Sequence, residues 1–369
     1  FASIRFAWLN RAMQFSKRSV IELTVGLLTG VVSVFMAWSG MGVWSLVFSG
    51  LVGALATNVL LSFIVPLRLQ LRWHIETVRK HSRYGAKITA SELINYIKEQ
   101  SVYLMVSKTA GPVALGLLTR GESLARMPNR FITPATGPVV FRAMSKVQDD
   151  LDQTKYLFYR TITLLTVYIS PLLVGLMWLA EPLVHLLYGD KWMQAALPMQ
   201  IMAIAGFILP IGRPSSLVLQ AQDKLNQEMV VQAAALVVGV TACYIGLQWG
   251  LVGVAWGIVV THAVSMGLLY VRAQRVVKAS AMDLLLALRP ATILSFILAS
   301  ALGVGSLVFG HLSLSIPSMY LFTMTMIGVV VIVPAFLLLP IPGIESEAAR
   351  WRKVLFLALP WLKRWTPNP

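Results

Sequence analysis

Apolar residues dominate for about 20 positions at a time at roughly 17–38, 41–65, 156–180, 196–220, 227–248, 251–271, 290–310 and 317–340. A helix rises 1.5 Å per residue and a bilayer core is about 30 Å thick, so each run predicts one membrane-spanning helix. Two more stretches, roughly 85–109 and 112–140, have the length but carry Glu92, Lys98 and Glu99, then Arg120, Glu122, Arg126 and Arg130. They are either polar spanning helices or one long soluble excursion.

Lys and Arg decide between these, because they collect on the cytoplasmic side of span ends. With ten spans, alternate connections are basic: Arg5 to Arg18, Arg68 to Lys87, Arg142 to Arg160, Lys224, Arg272 to Arg289, and Arg350 to Arg364. The opposite connections offer only Lys191. Deleting one polar span would break this alternation; deleting both would keep it, so charge favours ten. Trp38, Trp44, Trp178, Trp192 and Trp249 fall at predicted outer ends, and Trp8, Trp73, Trp351, Trp361 and Trp365 near inner ones, where indoles favour the membrane–water boundary. Both ends of the chain are expected to be cytoplasmic, and 341–369 reads as a basic amphipathic tail on the membrane surface.

Composition agrees. Of 369 residues, 57% are hydrophobic and 12% charged, against roughly 25% charged in soluble domains; the mean hydropathy is +0.73. The net charge of +16 follows from topology and attraction to the inner leaflet, with no nucleic acid needed. One cysteine, Cys243, excludes a disulfide framework within the chain. The chain starts at Phe1 without a cleavable leader pattern, and it reads as a truncated or processed piece.

The hairpin Gly40-Met-Gly-Val-Trp-Ser-Leu-Val recurs in altered form as Gly250-Leu-Val-Gly-Val-Ala-Trp-Gly. Both hairpins leave and return to the cytoplasm, so the repeat is parallel, with a period of six spans. On that arithmetic, 1–66 holds the last two helices of an N-terminal lobe and 67–84 is a basic cytoplasmic linker. A complete six-helix lobe occupies 85–272, two additional helices occupy 273–340, and about four helices are expected before Phe1. The fold class is an all-α polytopic membrane protein with about ten transmembrane helices here, from a two-lobe transporter of about fourteen. Chance recurrence of glycine-rich hairpins is the competing explanation.

Ionisable residues inside a span cost about 2.5–3.5 kcal/mol on insertion scales, so they face a cavity or a partner. Glu92, Asn95, Glu99 and Tyr103 share one helical stripe; Glu122, Arg126 and Asn129 form another, while Arg130 sits at its edge and Arg120 projects elsewhere. Pro128, Pro134 and Pro138 interrupt the second helix, and Pro210 and Pro214 flank Arg213. Lys98, Lys108, Arg120, Arg126, Arg130 and Arg213 against Glu22, Glu92, Glu99 and Glu122 leave the interior an excess of two positive charges. Such a cavity suits an anion, above all a phosphate. Candidate substrate-binding residues are therefore Arg120, Arg126, Lys98, Glu99, Glu122, Arg213, Glu92 and Asn95. Alternatively Glu122–Arg126, and Glu99 with a nearby cation, simply brace the bundle as ion pairs.

Little points to covalent chemistry. His74, His81, His185, His262 and His311 are scattered and read as interfacial or packed, and Asp149, Asp150 and Asp152 read as a solvated loop. Metal-ligand spacing, a phosphate loop and a serine elbow are all missing, and no cofactor is called for.

Arg11-Ala-Met-Gln-Phe-Ser-Lys, Gly40-Met-Gly-Val-Trp-Ser-Leu-Val, Leu115-Gly-Leu-Leu-Thr-Arg-Gly, Pro138-Val-Val-Phe-Arg-Ala-Met-Ser, Leu187-Tyr-Gly-Asp-Lys-Trp and Gly253-Val-Ala-Trp occur in this order. The succession resembles the bacterial Wzx-type polysaccharide flippases of the multidrug/oligosaccharidyl-lipid/polysaccharide exporter superfamily, nearest the colanic-acid and lipopolysaccharide branch. It departs at Leu118-Thr119, where the family is expected to carry an aromatic. The resemblance implies two six-helix lobes around a cavity and transfer of a polyprenyl-diphosphate-linked oligosaccharide from inner to outer leaflet without catalysis. Membrane lipids, a polysaccharide polymerase and export machinery would be partners. A peptidoglycan-precursor flippase, a cation-coupled drug exporter, and a membrane glycosyltransferase or polymerase are the rival readings.

Overall fold

The computed structural model describes residues 2–12, 14–65, 75–311 and 317–358, and every regular element among them is helical. The linker residues Arg68, Arg72, Trp73 and His74, and the tail residues Trp361, Lys363, Arg364 and Trp365, lie outside the described residues. The chain divides into two compact units, Phe1–Lys80 and His81–Pro369.

In the first unit, α1 (Ala2–Arg11) is followed by the antiparallel pair α2 (Phe15–Trp38) and α3 (Trp44–Ile64). Gly40 and Gly42 turn the chain at φ of 82° and 51°, which a side chain would disfavour. Gly53 packs against Thr29, so the two helices approach closely. Glu22 is paired at 2.7 Å with Arg18, one turn away. Leu27, Val31, Val34 and Phe35 are exposed, an apolar surface suited to lipid and not to water.

The second unit contains most of α4 (Ile75–Ala125), then α5 (Met127–Lys146), α6 (Leu151–Trp178), α7 (Ala180–Tyr188), α8 (Ala196–Ala221), α9 (Leu225–Gly246), α10 (Gly250–Val276), α11 (Ala281–His311), α12 (Pro317–Leu338) and α13 (Glu345–Ala358). α4 is not one rod. At Gly111 (φ 84°, ψ 171°), just before Pro112, it folds back, and its arms 75–110 and 112–125 lie antiparallel. The pairs Tyr103–Glu122 and Glu99–Arg126 bond across them, symmetric about that turn. The second arm continues almost directly into α5. Arg126 N–H bonds Glu122 O and Arg130 N–H bonds Arg126 O, each at 2.9 Å, while Pro128 has no N–H for the carbonyl of Leu124. The two polar stretches are thus two helical passes, and the second extends to Lys146.

Among the described residues, eight helical stretches are long and apolar enough to cross a membrane. One of them, 225–276, contains both α9 and α10, joined through a 3-10 turn at Leu247–Trp249. With the turns at Gly111 and Leu247–Trp249 separated and α5 included, the described residues make ten passes. The chain is an all-α polytopic membrane protein.

One local expectation is corrected. Pro210 and Pro214 do not interrupt the helix around Arg213: α8 runs unbroken through both. Between α6 and α8 the chain forms α7 and a 3-10 turn at Asp190–Ala195, separated by Gly189 at φ 80°. Asp150 accepts a 3.0 Å bond from Gln153 N–H and caps α6, which accounts for one member of the acidic cluster.

α8 lies at the centre of this unit, packed on α5, α6 and α10, and α11 packs on α6. The turn before α13 and its first residues are held by Arg160, which donates to Gly343 O (2.6 Å), Ser346 Oγ (2.9 Å) and Glu347 Oε1 (3.0 Å). Trp351 Nε1 donates to Tyr168 OH at 2.9 Å. Arg160→Ala is expected to cost about 1 kcal/mol at this partly exposed clasp. Limited proteolysis should then cut the α12–α13 junction faster while the rest of the chain stays resistant.

Candidate functional site

The second unit holds a partly open cavity of about 580 Å³ between α4, α5, α8, α9 and α10. Seven candidate residues line it: Glu92, Asn95, Lys98, Glu99, Glu122, Arg126 and Arg213. Arg120 does not. It lies two positions from Glu122, about 200° around the helix at 100° per residue, and it is exposed.

The wall formed by the two arms of α4 is an acid–base–acid chain. Arg126 Nη1 meets Glu122 Oε1 at 3.0 Å and Nη2 meets Glu99 Oε1 at 3.2 Å. Tyr103 OH donates to Glu122 Oε2 at 2.8 Å. One guanidinium therefore satisfies two carboxylates across the hairpin, and its forked donors make that possible where an ammonium would hold one. Glu122 is 6% exposed, so without these partners its charge would be very costly.

Lys98, also 6% exposed, donates from Nζ to Gln232 Oε1 at 3.2 Å. Asn129 donates from Nδ2 to Gly206 O at 3.1 Å and ties α5 to α8. Glu228 accepts from Ser216 Oγ and from Gln220 Nε2. His262 lines the cavity, with Nδ1 donating to Ile258 O at 2.9 Å within its own helix.

The expected positive excess is not present in this lining. Lys98, Arg126, Arg130 and Arg213 are matched by Glu92, Glu99, Glu122 and Glu228. Two cations in the sequence tally, Lys108 and Arg120, are exposed and outside the lining, and Glu228 was missing from it. Glu228, Gln232, Ser216 and His262 were not selected from sequence. A signal existed for the first two, since Glu228 and Gln232 are four apart at the start of α9 and share a face.

Within the matched set, the charges are used differently. Arg126 is held by two acids, whereas Arg130 and Arg213 line the cavity, exposed, with no ion pair among the described residues. The lining thus has a closed ionic brace on one wall and two open cations with polar groups elsewhere. Such a chamber can take a hydrated polar molecule and offer an anionic part of it two guanidinium groups.

Known proteins place the chain further. It is 24% identical over 226 residues to the lipopolysaccharide biosynthesis protein WzxC of Escherichia coli (strain K12), covering 60% of this chain and 45% of that protein. It is 26% identical over 206 residues to the succinoglycan biosynthesis transport protein ExoT of Rhizobium meliloti (strain 1021), covering 56% and 42%. The chain thus matches less than half the length of these curated relatives. Among solved structures, a MATE protein in the straight conformation superposes with a TM-score of 0.63 at 16% identity, over 75% of this chain and 66% of that one. The lipid II flippase MurJ in an inward closed conformation gives 0.59 at 15% identity, over 89% and 67%. These two show a shared fold. The profile of the family described as polysaccharide biosynthesis protein matches residues 1–197, which takes in both polar arms of α4 and all of α5 and α6. The ordered motifs, the helical fold and this match over more than half of the sequence agree, and the chain belongs to the polysaccharide biosynthesis protein family.

Proposed function

We propose that this chain is the flippase component that moves a polyprenyl-diphosphate-linked oligosaccharide from the inner to the outer leaflet of the cytoplasmic membrane, for lipopolysaccharide, capsule or exopolysaccharide synthesis. The observation that carries the reading is the 580 Å³ polar cavity inside a membrane-spanning bundle, in a chain of the polysaccharide biosynthesis family. Mid-membrane polar chambers are retained where something polar must pass. Transport here is alternating access with no covalent step: the glycan occupies the chamber and the polyprenyl tail stays in lipid. The diphosphate is drawn to Arg213 and Arg130, which make no ion pair among the described residues. Arg126, Glu99 and Glu122 hold the chamber's shape, and Lys98, Glu92 and Asn95 contribute polar contacts to the sugar. The parallel repeat, the boundaries at 66, 84, 272 and 340, and the cytoplasmic placement of both chain ends belong to the same reading, as do a polymerase and export machinery as partners.

Two measurements test it. Cysteines at Ser39 and Asp190 in a Cys243→Ala background should label from outside intact spheroplasts, and cysteines at Gln153 and Ser280 only after permeabilisation. Outside labelling at Ser280 would overturn the orientation. In a strain lacking its own polysaccharide flippase, expression of the protein should restore surface glycan. Arg213→Ala together with Arg130→Ala should lower export at least about tenfold with unchanged membrane level. Restoration of peptidoglycan-precursor transport, and not of surface glycan, would assign it to the rival lipid-linked substrate.

A further inference from the structure

One helical turn beyond the main chamber, toward the α8–α9 turn, lies a second concavity of about 490 Å³ lined by Gln222, Lys224, Gln227, Arg272, Arg275 and Val276. It lies at the ends of the same helices. Lys224 is four residues before Glu228 on the α9 face, and Arg272 is three after Leu269 on α10, both of those partners being chamber residues. The spacings three and four keep the two concavities on common helix faces.

Its electrostatics differ from those of the chamber. Its lining has three cations and no carboxylate. None of the three cations makes an ion pair among the described residues, whereas Lys155 pairs with Asp283 at 2.8 Å and Arg160 with Glu347 at 3.0 Å on α6. The nearest chamber acid, Glu228, is turned to Ser216 and Gln220. Gln222 is fixed by a 2.7 Å bond from Nε2 to Gln148 O, which steadies the rim. α9, 22 residues long, begins here with Lys224 at its N-cap and no side-chain cap, so its positive end adds to the field of the cations. The positive-inside rule accounts for basic residues at this end of the bundle but does not require three of them to line one concavity, where the only acid of the adjoining turn, Asp223, stands outside the lining.

We infer that this basic vestibule is a phosphate site that takes the diphosphate headgroup of a prenyl-linked substrate before its glycan enters the chamber. The inference rests on the flippase reading and adds a division of labour to it. Two arginines and a lysine take the phosphates first, at the end of the bundle, and Arg213 and Arg130 in the chamber one turn deeper meet them afterwards. A free phosphate anion shares the same recognition chemistry, and the experiment separates the two sources.

The intact chain in phosphatidylcholine nanodiscs would be titrated with farnesyl diphosphate, with binding read by microscale thermophoresis. Arg272→Gln with Arg275→Gln should weaken binding at least about tenfold, and Arg272→Lys with Arg275→Lys should recover part of the loss, since charge remains and paired donors do not. Both pairs should elute as the wild type in gel filtration. Farnesol should not compete. Weak competition by inorganic pyrophosphate supports the lipid headgroup; competition equal to farnesyl diphosphate keeps the phosphate site and assigns it a soluble anion. Unchanged binding by the Gln pair, absence of wild-type binding, or full competition when phosphatidylglycerol is added to the discs would each overturn the vestibule. Surface-glycan complementation by the wild type is read separately, so the flippase reading stands or falls on its own result.

Discussion

Arg126→Ala is expected to reduce the amount of folded protein as well as export, because it leaves Glu99 and Glu122 without the group they share. Removing one partner of a buried ion pair costs about 3–5 kcal/mol. Arg126 and Glu99 are each about a third exposed, so solvent screening brings the expectation down to about 2 kcal/mol. Thermal unfolding in detergent should show the loss directly. Neutralising the acids as well, with Glu99→Gln and Glu122→Gln beside Arg126→Met, should recover most of the stability. The swap Glu122→Arg with Arg126→Glu should not. It would bring a carboxylate at position 126 against Glu99 and move the cation to position 122, away from the site where both acids converge. A swapped protein with normal stability would show that the brace is not a three-membered unit.

Gly246→Val is expected to be worse, at about 3 kcal/mol or more, because added volume here meets main chain and not a movable side chain. A Cβ on Gly246 would lie inside contact distance of the Gly253 carbonyl, one on Gly253 would meet Gly246 in return, and one on Gly257 would meet the backbone of Cys243. α9 and α10 are thus packed main chain to main chain, the arrangement small residues allow in membranes. Little monodisperse protein should survive extraction. Gly267→Ala on the same helix pair meets nothing within 4 Å and should change the thermal midpoint by less than 2 °C or so. Equal behaviour of the two variants would sink the packing argument.

The α9–α10 hairpin also shows how far sequence reasoning reaches. Its glycines were legible as a hairpin, but not the contacts that make Gly246 and Gly253 sterically obligatory. Those depend on how deeply two helices interlock. Likewise, the stripe Glu92, Asn95, Glu99 and Tyr103 was legible from a period of 3.6, and all four line one chamber, Tyr103 also donating to Glu122. Arg120 could have been set aside on the same period, since its angular offset from Glu122 was already visible.

The amino-acid sequence by itself determined the all-helical membrane class, the ten passes with their two polar members, the basic alternation of the connections and the family. Each of these follows from local quantities: apolar length against bilayer thickness, helical period, and the count of cations per connection. Only the tertiary structure decided that Arg126 is shared by two acids, that Glu228 balances the chamber, and that Lys224, Arg272 and Arg275 converge one turn below it. The reason is physical. A period orders side chains around one helix axis, whereas the charge of a cavity depends on the rotation and depth of five helices against one another, set by packing between residues as far apart in sequence as Lys98 and Gln232.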